Sequence, residues 1–538
     1  MKVHFFILLV LQIIFGSMSA AEWQWSVKVR NYISSETNTN PEAFLWIPEE
    51  CEQVRGIVVG QHNMCEETIF EHTTFRKTMS DLDIAIIWIT PGIDYSWDVT
   101  NGCQDHFDTM LKDLAVVSGY SELQYAPIVP IGHSAMATFP WNFAAWNADR
   151  TLAVISYCGD APRTNLTGYG GSNLEWGRTR NIDGIPGLMI EGEYEWWEAR
   201  VNPALAFRMM YPESCISFLC DAGHGHFDVS DEVVDYISMF IKKSAEQRLP
   251  KEISLDKPNK LVKINNKNGW LAERWYPNQK KRPRVAPYSE YKGDRHDAFW
   301  YFDEEIANLT EVYYASSRNK KMQYIAFVKD GNLLKHQNTH FEYQLDFDPE
   351  EDGLTFHVSA AFVDSTRTYL TTEYSHSDVI KINRICGPVE KINDTTFSVC
   401  FYRMGLNNPK RTGDIWLLAN HRGDKNYKSA VQQLNLQIPY PNKEGIEQNI
   451  TFEPIEDVDY RTNSVALVAT SDSGLPVSFY IKEGPAKIIG NKLVFTKIPP
   501  RSKFPLKITV VAWQYGRLNG VKIQTADSKE ITFYLNRD

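Results

Sequence analysis

The chain has 538 residues, too many for one ordinary core, and its 43% hydrophobic and 23% charged content is that of a globular protein with two to four domains. A net charge of −11 argues against nucleic acid or an anionic membrane as a general partner, so an acidic substrate would need a local basic cluster. Eight cysteines are too few for a disulfide scaffold, and no spacing among them resembles a structural zinc site.

Taken in chain order, residues 1–21 open with an apolar run, Phe5 to Phe15, and close on small residues ending at Ala21, the three-part pattern of a secretory signal peptide. The run is shorter than the roughly 20 residues a membrane span needs, so no membrane insertion is expected. No cysteine lies near the cleavage position to carry a lipid, and a secreted or periplasmic location follows as the expectation.

Residues 22–50, with Trp23, Trp25 and Trp46, read as leading antiparallel strands. From Gly56 the texture changes. Short continuous apolar runs at 56–60, 83–90, 125–131, 152–156, 186–190 and 215–220 mark strands covered on both faces. Helical segments alternate with them at Glu66–Met79, Cys103–Val117, Trp141–Asn147, Pro203–Met210 and Asp231–Arg248, and the last stops before Pro250. Strand and helix in alternation predict a mainly parallel α/β sheet over 22–250. Beyond it, short alternating runs with Asn, Gly and Asp turns predict a β-sandwich over 251–445, beginning with an irregular stretch to about residue 300 whose basic run Lys280–Arg284 reads as solvated surface. A further all-β segment occupies 446–538. Cys386 and Cys400 flank a predicted hairpin and make the best candidate disulfide, with another pair drawn from Cys51, Cys65 and Cys103.

One run organises the chemistry. Ala126–Ala137 carries an apolar strand that stops at Gly132 and presents Ser134, the arrangement of a nucleophile elbow, although Met136 stands where a small residue is usual and the small residue comes at Ala137. A serine hydroxyl needs a histidine to take its proton and an acid to hold the histidine's tautomer. In the order serine, acid, histidine, the strand at 186–190 runs into Glu191, Glu193 and Glu195, of which Glu195 has the favoured spacing. The strand at 215–220 runs into His224 and His226, of which His226 is favoured. Ala135 and the loop opening at Gln61 and His62 are the candidate oxyanion donors. A metal site at the paired histidines finds no matching ligand cluster, and the acidic turn at Asp346–Asp352 does not fit an EF-hand, so neither metal nor other cofactor is expected.

That order of three strand ends over residues 50–248 resembles the α/β-hydrolase superfamily, and the segment at 446–538 resembles the small immunoglobulin-like modules of secreted bacterial enzymes. The three parts together resemble the multidomain pectin methylesterases, carbohydrate esterases of polysaccharide-degrading gut bacteria. The resemblance implies a serine esterase acting on uronic-acid methyl esters of a polysaccharide or oligosaccharide. In that fold the segment after the strand at 152–156 commonly forms a lid; on the loops about the site, Trp141, Trp176, Trp196 and Trp197 would offer platforms to sugar rings and Arg163, Arg178 and Arg180 would pair with carboxylates.

Overall fold

The computed structural model describes residues 22–164, 173–195, 198–278, 281–374, 379–403, 408 and 410–537. The expected signal peptide, Trp196 and Trp197 lie outside them.

Eight strands form the central sheet: β1 (Trp25–Lys28), β2 (Glu42–Trp46), β3 (Gly56–Gln61), β4 (Ile84–Thr90), β5 (Ile128–His133), β6 (Val154–Tyr157), β7 (Pro186–Gly192) and β8 (Cys215–Asp221). Their order is β1-β2-β4-β3-β5-β6-β7-β8, parallel from β4 to β8, with β2 antiparallel to both its neighbours. Every residue of β3 to β8 is buried, which is why these strands read as unbroken apolar runs. This is the mainly parallel α/β sheet expected over 22–250, with an antiparallel edge at β1 and β2.

The crossovers carry α1 (Glu66–Glu71), α2 (Thr73–Asp81), α3 (Cys103–Ser118), α4 (Phe139–Trp146), α5 (Glu198–Met210) and α6 (Asp231–Arg248). The single helix expected over 66–79 is split at His72, which leaves the helical conformation and caps α2 by accepting from the Thr74 amide. The helix expected from Pro203 begins a turn earlier, so that Pro203 lies inside α5. At the start of α6, Ser230 accepts from the Val233 amide and Asp231 and Glu232 occupy the first turn, which favours negative charge.

The stretch after residue 250 is less irregular than its sequence suggests. Strands β9 (Trp270–Glu273), β10 (Ala286–Pro287) and β11 (Ala298–Tyr301) form a small antiparallel sheet, followed by α7 (Glu304–Ala315). Leu271, Trp275, Phe299, Trp300 and Tyr314 are buried in the same apolar cluster as β5 to β8. Hydroxyl groups stitch the two together: Ser217 donates to the Trp300 carbonyl at 2.5 Å and Tyr301 to the Phe218 carbonyl at 2.7 Å. Cores therefore do not separate at residue 250.

Residues 324–437 form three sheets around their own core, with Phe327, Phe356, Phe397, Leu417 and Leu434 at its centre. Residues 450–536 add three more sheets, and Leu493, Leu506, Ile508 and Phe533 share a cluster with Trp25, Leu45 and Leu111 of the α/β part. Arg501 grips Glu122 with both guanidinium nitrogens, at 2.7 and 3.1 Å, on that contact.

All eight cysteines are free, which corrects the expected disulfides. The hairpin near Cys386 pairs residues 389–393 with 396–399, leaving Cys386 on a different sheet, packed in one cluster with Cys65. Cys51, Cys65 and Cys103 lie on separate segments, each buried.

Candidate active site at the end of β5

The sheet delivers three chain ends to one place. β5 ends at His133, and Ser134 follows in the left-handed region at φ +52°, opening a single 3-10 turn over Ser134–Met136. A non-glycine residue held there is strained, and such strain persists only where the surroundings enforce it. Gly132 shows how tight the turn is: a Cβ on it would lie 1.9 Å from the Met136 carbonyl oxygen. Met136 departs from the usual small residue because its side chain points into space left by Gly92, where an added Cβ would fall 2.1 Å from Met136 Cε. The close helix-to-strand approach is made instead by Ala137 against Gly159, at 2.2 Å from that glycine's would-be Cβ.

β8 ends at Asp221, and the following loop returns His226 so that its Nε2 stands 2.7 Å from Ser134 Oγ. β7 ends at Gly192, and the turn after it brings a Glu195 carboxylate oxygen into contact with His226 Nδ1. Ser134 and His226 are buried. Burial, then Arg200 and His340 nearby, lowers the His226 pKa to about 3, so the ring is neutral and able to accept the hydroxyl proton. Burial also raises Glu195 above the usual carboxylate range, against the pull of Arg200.

The competing candidates are occupied elsewhere. Glu191 forms a wholly buried ion pair with Arg200 at 2.6 Å, and Glu193 pairs with Lys428 at 2.5 Å. His224 contacts Asp228 through Nδ1. Burial works to lower its pKa, but Asp221 and Asp228 outweigh that and lift it to about 10. Asp221, His224 and Asp228 stand close enough to share a metal ion, as do His133, Cys158 and His226. The first set is a cation already held between two carboxylates, and the second contains the histidine that faces the serine.

The oxyanion expectation is corrected in part. Ala135 lies in the 3-10 turn that opens at Ser134, where helical N–H groups lack partners within the turn. The His62 amide, however, donates to the Ile89 carbonyl at 2.8 Å, completing the sheet. The Gln61 side chain turns to the opposite loop, accepting from the Ile93 and Asp94 amides at 2.7 and 3.0 Å. The amides of Asn63 and Met64 donate to Glu66 at 3.2 and 3.0 Å.

Glu66, Asn63 and His133 are site residues that sequence reasoning missed. Glu66 accepts the His133 amide at 2.7 Å, Asn63 Nδ2 donates to the His133 carbonyl at 2.9 Å, and His133 Nε2 lies 2.7 Å from the His226 carbonyl oxygen. Together they tie the β3 loop, the elbow and the histidine loop. The only trace in the sequence is that His133 adjoins the serine. His340, from the all-β part, has its ring centroid 5.8 Å from that of His226.

The expected sugar platforms are also corrected. Trp141 is buried with its indole N–H 3.2 Å from the Asp160 carbonyl, and Trp176 is buried with its own N–H on Asn142 Oδ1 at 2.9 Å. Arg163 lies between Trp176 and Tyr211, 5.6 Å from each ring, and hydrogen-bonds the Tyr211 hydroxyl. Arg180 stacks on Trp146 at 4.4 Å, and Arg178 is exposed.

No protein-family model and no curated protein matches the sequence. Solved structures similar to its α/β part include the fluorophosphonate-binding serine hydrolase F of Staphylococcus aureus, 11% identical, covering 41% of this chain and 97% of its own at a TM-score of 0.29. A phospholipase/carboxylesterase from Dyadobacter fermentans is 16% identical, with 39% and 98% covered and a TM-score of 0.27. The poly(3-hydroxybutyrate) depolymerase LpqC of Bordetella parapertussis is 11% identical, with 43% and 92% covered and a TM-score of 0.28. In this chain a mainly parallel α/β sheet brings a serine, a histidine and a glutamate into contact at its strand ends.

Proposed function

We propose that the chain is a serine-dependent carboxylic ester hydrolase. The observation that carries this is the 2.7 Å contact between Ser134 Oγ, held on a strained turn, and a buried, neutral His226. As Ser134 Oγ attacks the ester carbonyl, its proton passes to His226 Nε2. Glu195 holds the Nδ1–H and stabilises the imidazolium that forms. The carbonyl oxygen, now an alkoxide, faces the Ala135 amide. Collapse breaks the ester C–O bond, the alcohol leaves with the proton from His226, and a water activated by the same ring hydrolyses the acyl-enzyme to the carboxylic acid.

For the substrate we infer a methyl ester of a uronic acid in pectin, with methanol as the leaving alcohol, in a protein exported by cleavage at residue 21. The support is the resemblance of the whole chain, a hydrolase followed by two all-β parts, to the pectin methylesterases. The buried tryptophans add nothing to it. The test is to incubate the protein and Ser134→Ala with methyl-esterified pectin and with acetylated and feruloylated polymers, and to identify the small product. Methanol formed by the native protein alone is expected. Acetate or ferulate instead would move the substrate within the same chemistry, whereas ester cleavage by Ser134→Ala equal to the native rate would overturn the mechanism.

A further inference from the structure

The strand that carries the serine outruns its neighbour. β3 pairs with β5 only as far as Gly60 against Ile131, so the residue just before the nucleophile, His133, has no β3 backbone beside it. Past Gln61 the chain turns toward β4, where the His62 amide donates to the Ile89 carbonyl. The buried amide and carbonyl of His133 therefore need partners from somewhere other than the sheet.

Two side chains stand in for the missing strand. Glu66 Oε1 accepts the His133 amide at 2.7 Å, and Asn63 Nδ2 donates to the His133 carbonyl at 2.9 Å, which supplies the acceptor and the donor that a further β3 residue would have offered. A carbonyl is served only by an N–H, so the orientation of the Asn63 amide is fixed. Both side chains are buried, at 1% and 8% exposure. The other Glu66 oxygen accepts the amides of Asn63 and Met64 at 3.2 and 3.0 Å, so the same carboxyl group also holds the loop that bears Asn63. All three of these partners are N–H donors, and they call for a side chain that accepts at both ends.

His133 passes the restraint on in two directions. Through the backbone, it is the extended residue from which Ser134 departs into the left-handed region at φ +52°. Through its ring, Nε2 lies 2.7 Å from the His226 carbonyl oxygen. Nucleophile and base are both referenced to one residue, and that residue is referenced to Glu66 and Asn63.

We propose that Glu66 and Asn63 are positioning residues for ester cleavage, a side-chain substitute for the next β3 residue that sets Ser134 Oγ against His226 Nε2. They act through His133 rather than on the ester. The inference rests on the serine-hydrolase reading and deepens it, by naming what holds the elbow where β3 has ended.

The experiment compares the native protein with Glu66→Gln and Asn63→Ala on p-nitrophenyl acetate, reading kcat, KM and the first-turnover burst that reports acylation, with the thermal midpoint followed by circular dichroism. Glu66→Gln fills the same space but accepts at one end only, so its NH2 group must oppose a backbone N–H. Its burst rate and kcat are expected to fall by about a hundredfold with KM little changed, the effect of displacing a reacting group by about 1 Å. Asn63→Ala loses one donor and should fall about tenfold, the worth of one hydrogen bond. A merely structural pair would lower the midpoint and leave the folded protein's kcat at the native value; that result, or a loss confined to KM, would overturn the proposal. Should Glu66→Gln not fold, Asn63→Ala decides by the same criteria. Turnover abolished in Ser134→Ala but retained in full by Glu66→Gln would overturn this inference and leave the serine-hydrolase reading standing, whereas turnover that survives Ser134→Ala would overturn both.

Discussion

At the scale of single residues, the site depends on a backbone conformation that only a glycine two places upstream permits. Gly132→Ala would drive its Cβ into the Met136 carbonyl, a backbone atom that cannot swing aside. Ester turnover should therefore fall by at least about a hundredfold, because displacing a reacting group by about 1 Å costs that much. Gly92→Ala meets only the mobile end of Met136 and should be far milder. Turnover of a small ester in the two variants, with circular dichroism to confirm folding, checks the contrast; equal losses would mean that the elbow is not the sensitive point.

The same residues set the pH response. A neutral His226 is the active form, and its pKa is lowered by burial to about 3, below the 6.5 of a free histidine. Protonation of the base is thus deferred, and kcat/KM for a small neutral ester should remain high as pH falls through 6.5 toward 5. A pH–rate profile whose acid limb is half-maximal at 6.5 or above would contradict this. Glu195→Gln should lower kcat by about 10⁴ with KM little changed, as expected when the histidine loses the group that fixes its tautomer.

At the scale of elements, the central sheet was legible because β3 to β8 are buried on both faces and so are written as unbroken apolar runs. The three chain ends that bring Ser134, Glu195 and His226 together were legible for the same reason, as each follows such a run. What the sequence does not display is where a polar side chain spends its hydrogen bonds. Spacing favoured Glu195, but what sets Glu191 and Glu193 aside is the partners they meet: Arg200, nine positions on, and Lys428, from another part of the chain. Trp141 and Trp176 were misread for a related reason, since a tryptophan beside an active-site loop has the same letter whether it lines a groove or fills a core. The small sheet β9 to β11 was read as irregular because its strands are only two to four residues long and take their stability from packing on β8.

The Glu191–Arg200 pair gives this scale its own prediction. Both side chains are fully buried, so removing one leaves an uncompensated charge in a medium that solvates it poorly. Arg200→Met should cost about 3–5 kcal/mol of stability, and the Glu191→Gln, Arg200→Met double variant should recover part of it. Denaturant unfolding of the three proteins is the measurement, and a double variant less stable than Arg200→Met would show that charge isolation is not the cause.

At the scale of the whole molecule, the all-β part is bound, beside the loop after β3, to the α/β part through buried charge. Arg403 reaches Glu67 at 3.1 Å and Glu71 at 2.6 Å, and Arg384 reaches Glu67 at 3.2 Å, all on α1 directly after the β3 loop. Around the histidine loop, Met64 and Phe227 share an apolar cluster with Ile385, Trp416 and Leu418. The serine site is thus assembled against a second part of the chain, and conditions that charge its buried groups should unfold both together. His133 and His226 are buried with pKa values lowered to about 3, and burial lowers that of His62 as well. Each binds its proton near pH 6.5 in the unfolded chain but only at much lower pH in the folded one. Their joint effect is to make stability fall as pH drops from 6.5 toward 3, because the unfolded state then holds more protons. His224 has the opposite sign: with its pKa raised to about 10, its contribution is complete below 6.5 and is lost as pH rises through 10. The expected profile of thermal midpoint against pH therefore peaks near pH 6.5 and declines on both sides of it. His133→Gln should shallow the acid slope relative to the native protein, while His224→Gln should flatten only the alkaline side. If His133→Gln left the acid slope unchanged and His224→Gln altered it instead, the burial of neutral imidazoles would not be what limits this fold in acid.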